Sequence, residues 1–161
     1  MDSKIRPTKE VLLQQTIDRF WETIPPMWNH VRSHIRASAA EKFGISVEQF
    51  HILRYIARGI NNVSALAHER SISRPAASQV VEVLAQKGLL TRQQISTDRR
   101  CVTLSLTENG ATLLHAIFEH NRLWMISELE ALSSEELQAS IQAMEILKAF
   151  FQKTIGAVKS E

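Results

Sequence analysis

Apolar residues recur every three or four positions along the first stretch of the chain. They are Leu13, Ile17, Phe20, Ile24, Met27, Val31 and Ile35. This spacing predicts a long amphipathic helix over residues 10–35. Pro25 and Pro26 fall inside the pattern and remove two amide donors. We therefore expect a kink or a short break there rather than a straight rod.

Three shorter helices follow, and a residue suited to cap a helix amino end precedes each of them. The short polar side chains of Ser and Asn accept hydrogen bonds from backbone amides that a helix leaves unpaired. The first of these caps, Ser46, also has the spacing of a capping box with Gln49. The predicted caps and ends are Ser46 with Gly59, Asn62 with Arg70, and Ser73 with Gly88.

After Gly88 the period changes from that of a helix to that of a strand. Residues 89–95 (LLTRQQI) and 101–107 (CVTLSLT) read as two strands, since apolar and polar residues alternate in the second run. The five polar residues between them, 96–100 (STDRR), predict a short hairpin tip.

Two helices are predicted after the hairpin. Thr107 is placed to cap a fifth helix reaching Leu132, and Ser133 with Glu136 forms a capping box that opens the last helix. The apolar face of this last helix carries Leu137, Ile141, Met144, Leu147, Phe151 and Ile155. The element order predicts a mostly α fold with a small β-hairpin, of the α+β class.

Composition limits the class of protein. With 161 residues, 44% of them hydrophobic, the chain has the length and apolar content of a single globular domain over 1–161. One cysteine and no long apolar run favour a cytoplasmic protein without a membrane span. No Gly-rich phosphate loop, nucleophile elbow or HExxH motif points to an enzyme, and no cofactor or metal site is expected.

Positive charge is concentrated in the middle of the chain. Residues 54–100 carry eight Lys and Arg against three Asp and Glu, whereas the whole chain has a net charge of only +2. Such a distribution fits a nucleic-acid contact surface, although an ordinary solvated face is the plainer alternative.

The helices predicted before the hairpin have the pattern of a helix-turn-helix, and the hairpin that follows is then a wing. The second helix of the motif exposes small and polar residues near its amino end, as an element entering the major groove requires. We expect Gln79 to read adenine, Arg74 to bind phosphate and Glu82 to accept from cytosine N4. The predicted contacts on this helix are Arg74, Pro75, Ser78, Gln79 and Glu82.

The hairpin tip adds a second expected contact. Arg99 and Arg100 would end a thin projection, which suits the negative potential of the minor groove. Asp98 is a poor DNA ligand and is better explained as the partner that orients Arg100. A plain charged turn is the alternative for this segment.

These motifs together resemble the multiple antibiotic resistance regulator (MarR) family of winged helix-turn-helix transcription factors. The Asp-Arg-Arg wing followed by Leu-Thr-Glu-x-Gly is the most specific part of the resemblance. The similar segments are 45–59, 63–90, 96–110 and 132–137.

The resemblance implies a homodimer that binds a palindromic double-stranded DNA operator, commonly as a repressor that a small aromatic ligand releases. It assigns dimerisation to 10–40 and 108–156 and DNA binding to the lobe 45–107. Recognition contacts fall on Arg74, Ser78 and Gln79, and Asp98 with Arg100 matches the Asp-x-Arg pair of the wing.

Three kinds of effector are considered, with ordinary packing or solvation as the alternative for each. A small-molecule pocket would use Trp21, Trp28, His51 and Arg54. Cys101 would serve a redox-responsive regulator. Metal sensing would use His30, His34, His115 and His120. A winged protein-interaction module without DNA binding is a further alternative function.

Overall fold

The computed structural model describes residues 7–94 and 102–158, and these form six helices and a two-stranded sheet. In chain order they are α1 (Lys9–Phe43), α2 (Val47–Ala57), α3 (Val63–Arg70), α4 (Arg74–Gln86), β1 (Leu90–Gln94), β2 (Val102–Leu106), α5 (Glu108–Leu129) and α6 (Ser134–Val158). This order confirms the predicted mostly α fold with a hairpin wing.

The first helix is longer than predicted and is not interrupted. α1 runs through Pro25 and Pro26 as one continuous helix, so of the two predicted alternatives the short break is wrong, and the kink stays a prediction. Each proline removes one backbone donor, which leaves the carbonyls of Trp21 and Glu22 without helical partners. Because both of these residues are exposed, water can satisfy their carbonyl oxygens.

The predicted helix caps are confirmed by hydrogen bonds. Ser46 and Gln49 form the capping box at the start of α2, with both of its bonds present. The Asn62 side chain accepts a hydrogen bond from the Ala65 amide, the third of α3, at 2.8 Å. Ser133 and Glu136 form the second capping box, and its hydrogen bonds lower the pKa of the Glu136 carboxyl.

The chain divides into two compact units, Met1–Glu119 and His120–Glu161. The boundary between these units lies inside α5. α5 itself ends at Leu129, three residues before the predicted end at Leu132, because the chain turns at residues 130–131.

The amino-terminal unit contains a continuous hydrophobic core. Helices α1 to α5 and both strands contribute to it, and Phe50 of α2 packs edge-on against Phe118 of α5. Its buried residues are Ala39, Ile45, Phe50, Ile52, Leu53, Ile56, Leu66, Val81, Leu84, Leu89, Leu90, Leu104, Leu114 and Ile117. This core fixes α4 and the base of the hairpin in one body.

The hairpin is antiparallel, and its register places Leu90 opposite Leu106 and Arg92 opposite Leu104. Partners in an antiparallel ladder project to the same face of the sheet. Since Leu90 and Leu104 are buried, this face is the one directed at the core. The Leu104 amide also donates to the Asn61 carbonyl at 2.8 Å, which ties β2 to the loop before α3.

Within 7–94 and 102–158, none of the helices combines the length and the apolar character that crossing a bilayer requires.

Candidate nucleic-acid interface

A tight turn sets the direction of α4 relative to α3. Ser71 has φ 51°, in the left-handed region, where residues other than glycine are uncommon. The Ile72 amide then donates to the Ala67 carbonyl at 3.0 Å. The Ser73 hydroxyl oxygen accepts from the Ala76 amide at 3.3 Å and so caps α4. These bonds define the turn of a helix-turn-helix.

One face of α4 is buried and the opposite face is open. Ala77, Val81 and Leu84 are fully buried, and Val81 rather than Val80 is the fully buried valine. The residues predicted to contact DNA are all exposed, and they are Arg74, Pro75, Ser78, Gln79 and Glu82. We call this set the recognition face. The structure thus brings together on one surface the contacts predicted for this helix.

One member of the recognition face already has partners within the chain. Glu82 Oε2 lies 2.6 Å from Nη1 of Arg92 on β1. Its other oxygen, Oε1, accepts from Gln86 Nε2 at 3.2 Å. Arg92 was not among the predicted site residues, although the alternation of β1 places it on the same face of the hairpin as Leu90.

The junction between the hairpin and α5 depends on a close backbone approach. A Cβ at Gly110 would lie 2.1 Å from the Leu89 carbonyl oxygen, so only glycine fits without a shift. Thr107 supports the same junction, since its hydroxyl donates to the Gly88 carbonyl at 2.7 Å and accepts from the Gly110 amide at 3.0 Å. The Thr-Glu-x-Gly segment therefore fixes where the wing leaves the core.

The predicted contacts at the tip of the wing remain predictions. Asp98, Arg99 and Arg100, together with Cys101, fall outside the residues that the structure describes. The described part of the wing is its base, where β1 and β2 pair over five residues each.

Comparison with known sequences decides the family. The sequence model of the MarR family matches residues 43–100. YfiV of Bacillus subtilis (strain 168), an uncharacterized HTH-type transcriptional regulator, is 30% identical over 107 residues, which are 66% of this chain and 67% of YfiV. The chain belongs to the MarR family. It is therefore a DNA-binding transcription regulator, not an enzyme.

Two further similarities support the assignment to the MarR family. MdtR of Bacillus subtilis (strain 168), an HTH-type transcriptional repressor, is 29% identical over 98 residues, or 60% of this chain and 63% of MdtR. The structure of a MarR family protein from Bacillus stearothermophilus superposes with a TM-score of 0.73 at 17% identity. That alignment covers 86% of this chain and 97% of the other. At 17% identity, this structural similarity supports the fold alone.

The residues predicted for a MarR ligand pocket do not share one environment. Trp21 and Trp28 on α1 are 67% and 54% exposed, and Trp21 packs edge-on against Phe20. His51 and Arg54 on α2 are half-buried. A pocket that includes Trp21 and Trp28 therefore stays a prediction. His51 and Arg54, in contrast, have charged neighbours that the structure describes.

The residues around His51 carry mostly positive charge. Burial lowers the pKa of His51 below its ordinary value of 6.5, and the charges of Arg70, Arg54 and Arg32 lower it further against the opposing charge of Glu48. The Arg70 guanidinium is held by Glu48, with Nη2 2.7 Å and Nε 3.3 Å from its carboxylate oxygens.

Two buried nitrogens of this cationic region are available for further bonds. His51 Nδ1 and Arg54 Nε have no hydrogen-bond partner among the described residues. Buried polar atoms in proteins are paired in the large majority of cases. The pair therefore marks a place where an acceptor, such as a carboxylate, fits chemically.

The remaining effector predictions have little support in the described chain. Across 7–94 and 102–158, His, Cys, Asp and Glu residues do not gather in groups of three or more that suit a metal ion. His30 and His34 lie on α1, and His115 and His120 lie on α5. A role for these histidines in sensing stays untested.

Proposed function

We propose that this regulator binds a palindromic operator as a homodimer, with the recognition face of α4 in the major groove and the wing beside it. DNA affinity would then change when a small aromatic carboxylate binds next to α2. In most settings such a protein acts as a repressor. The lobe 45–107 would bind DNA, and 10–40 with 108–156 would join the two copies.

The exposed face of α4 is the observation that carries this proposal. Ser78 and Gln79 lie one turn inside a helix whose amino end is capped and whose opposite side is anchored by Val81 and Leu84. A rigid helix with donors and acceptors near its amino end is what base reading requires. Arg74 at the first position adds a cation for a phosphate.

Dimerisation is supported by apolar side chains that the single chain leaves open. On α1 these include Leu13, Ile17 and Trp21, each about half exposed or more. On α6 they include Ile141, Met144 and Phe150. Exposed apolar surface on this scale is typical of interaction sites rather than of free surface. A two-fold arrangement would cover it and would place two α4 helices about one DNA turn apart.

Repression and ligand control rest on more limited support. MdtR is named a transcriptional repressor, which favours repression over activation for this chain as well. His51 Nδ1 and Arg54 Nε, beside Arg70 and Arg32, provide donors and positive charge for an anionic ligand. An aromatic ring attached to that anion would suit the aromatic side chains that contact His51 and Arg54 on α2, which are Phe50 and Tyr55.

Selection of bound fragments from genomic DNA by the purified full chain tests the proposed function. We expect a small set of fragments that share an inverted repeat. Addition of an aromatic carboxylate such as salicylate then tests the effector class by its release of the enriched fragment. Fragments without any common element would contradict sequence-specific binding, and enrichment unaffected by aromatic carboxylates would contradict the effector class.

A further inference from the structure

Arg92 occupies an unusual place for a charged residue in the wing. It lies opposite Leu104, on the face of the hairpin that also carries Leu90. Leu90 and Leu104 are 4% and 2% exposed, so this face is directed toward the core. The Arg92 side chain itself stays 37% exposed, and its guanidinium has an acidic partner on a neighbouring helix.

Glu82 on α4 is that partner. The two side chains are joined at 2.6 Å, between Arg92 Nη1 and Glu82 Oε2. Gln86 donates to the second oxygen of the same carboxylate at 3.2 Å. Both oxygens of Glu82 therefore have partners inside the protein, and the two contacts hold the carboxylate in one orientation, toward Arg92 and Gln86.

The position of Glu82 makes this engagement relevant to DNA. It follows Gln79 by three residues and Ser78 by four, so it lies one turn further along the same face of α4. A free carboxylate there would repel the phosphates on either side of the groove. The Arg92 guanidinium offsets that charge at the point where helix and wing meet.

We propose that Glu82 is a positioning residue whose ion pair with Arg92 sets the wing strand against the recognition face of α4. It then does not read a base, which replaces the predicted contact with cytosine N4. The inference depends on the proposed function, because the geometry it sets matters only when α4 and the wing bind one duplex.

The exposure of the pair favours positioning over a role in stability. The Arg92 and Glu82 side chains are 37% and 50% exposed, and ion pairs of that exposure contribute little to folding. Among the described residues, however, the hairpin consists of two strands of five residues each. Such ribbons are weakly ordered alone, so one side contact at the base has a direct effect on their direction.

The test compares Glu82→Gln, Arg92→Gln, the double variant and Arg92→Lys in the full chain. The probes are the duplex enriched from genomic DNA and a shuffled duplex of equal length, each at several salt concentrations. Glu41→Gln with Lys42→Gln is the matched control, because it also removes one acidic and one basic side chain, at exposed positions of α1 outside the proposed dimerisation segment and DNA-binding lobe.

We expect each single Gln variant to lower the ratio of operator affinity to shuffled-duplex affinity by roughly two- to five-fold per half-site. The double variant should lose no more than the larger single variant, since both break one contact. Arg92→Lys keeps the charge and should stay close to the parent. The α1 control should leave the ratio unchanged.

Three results would overturn the inference. Losses that multiply in the double variant would show independent roles. A changed base preference at one operator position in Glu82→Gln alone would make Glu82 a reader. A salt slope lowered by about one phosphate in Arg92→Gln alone would make Arg92 a direct backbone contact.

A measurement without DNA separates this inference from the proposed function. Thermal unfolding of the parent, the two single Gln variants and the double variant reports whether Glu82 and Arg92 are coupled in the absence of DNA. Non-additive shifts with no DNA preference in the parent would reject the proposed function but keep the ion pair. Additive shifts with a normal parental DNA preference would reject the pair but keep the function.

Discussion

The two compact units of this MarR-family chain differ in where their apolar residues lie. In the amino-terminal unit, residues 39–117 contain every buried hydrophobic residue of the described chain. In the carboxy-terminal unit, large apolar side chains remain open, with Met144 61% and Ile146 71% exposed. The first unit closes its own core, and the second does not.

This contrast shows how the fold divides its tasks. Full burial of one large apolar side chain contributes about 1.5–3 kcal/mol, which the amino-terminal unit gains many times over within one chain. The apolar face of α6 gains the same only when another surface covers it. The buried anchoring of α4 and the open apolar face of α6 are therefore separate properties, and variants can change one without the other.

The largest expected effect is on assembly. Replacing Ile141 and Met144 together by Asp puts two charges on the open face of α6 and should separate the proposed dimer while the amino-terminal unit stays folded. Operator affinity should fall by about 10²–10⁴-fold, because the second half-site is no longer linked to the first. Sedimentation velocity and circular dichroism check the two parts of the expectation.

Gln142→Asp provides the control for that variant, because it adds a charge to the same exposed helix at a polar position. It should remain dimeric. An Ile141 and Met144 double variant that also sediments as a dimer would refute the proposed role of α6.

The next effect concerns the closed core. Gly110→Ala should lower the free energy of unfolding by about 1–3 kcal/mol, since the new methyl group would meet the Leu89 carbonyl oxygen. Urea unfolding measures the change, and Asn109→Ala, at an exposed neighbouring position, should leave the midpoint nearly unaltered. Equal midpoints for the two variants would mean that the close approach carries no constraint.

The next variant concerns the recognition face and should change the binding free energy at a single base pair of each half-site by a similar amount. Gln79→Ala should reduce discrimination at one position of each half-site by about 1–3 kcal/mol, because a bidentate contact to adenine is lost. Binding to a panel of single-substitution operators measures it, with Gln138→Ala on α6 as control. A uniform loss across the panel would make Gln79 a backbone contact instead.

The smallest expected effect is a dependence on pH. Burial and neighbouring arginines lower the pKa of His51, so between that pKa and 6.5 the unfolded chain binds more protons than the folded one. The stabilisation is thus complete above pH 6.5 and is lost as the pH falls below it. The free energy of unfolding measured by urea at several pH values should show this decline.

His51→Gln should remove that part of the decline, whereas His68→Gln on α3, where the residue is exposed, should leave it in place. If the two variants kept identical pH profiles, the assigned environment of His51 would be wrong.

Local signals in the sequence predicted most of the fold. Capping residues such as Ser46, Asn62 and Ser73 act within three residues of their partners, so their effect can be read from spacing alone. The hairpin follows from the change of period after Gly88. The exposed set on α4 follows from helical geometry once its buried side is known.

What the sequence could not predict depends on contacts between distant elements or on solvent. The ion pair of Glu82 with Arg92 requires the angle between α4 and β1. The need for glycine at 110 arises from the backbone of Leu89, on another element. The continuity of α1 through Pro25 depends on backbone carbonyls that water can reach. Helix propensities of single residues do not include this solvent exposure.

The central claim is that two copies of one capped helix, held by a self-contained lobe, read two half-sites of a duplex. Hydroxyl-radical footprinting of the enriched duplex by the purified full chain tests it most directly. We predict two symmetric protected regions with centres about 10–10.5 base pairs apart, or a multiple of that spacing. A single unsymmetric region, or protection equal to that of a shuffled duplex at low salt, would contradict it.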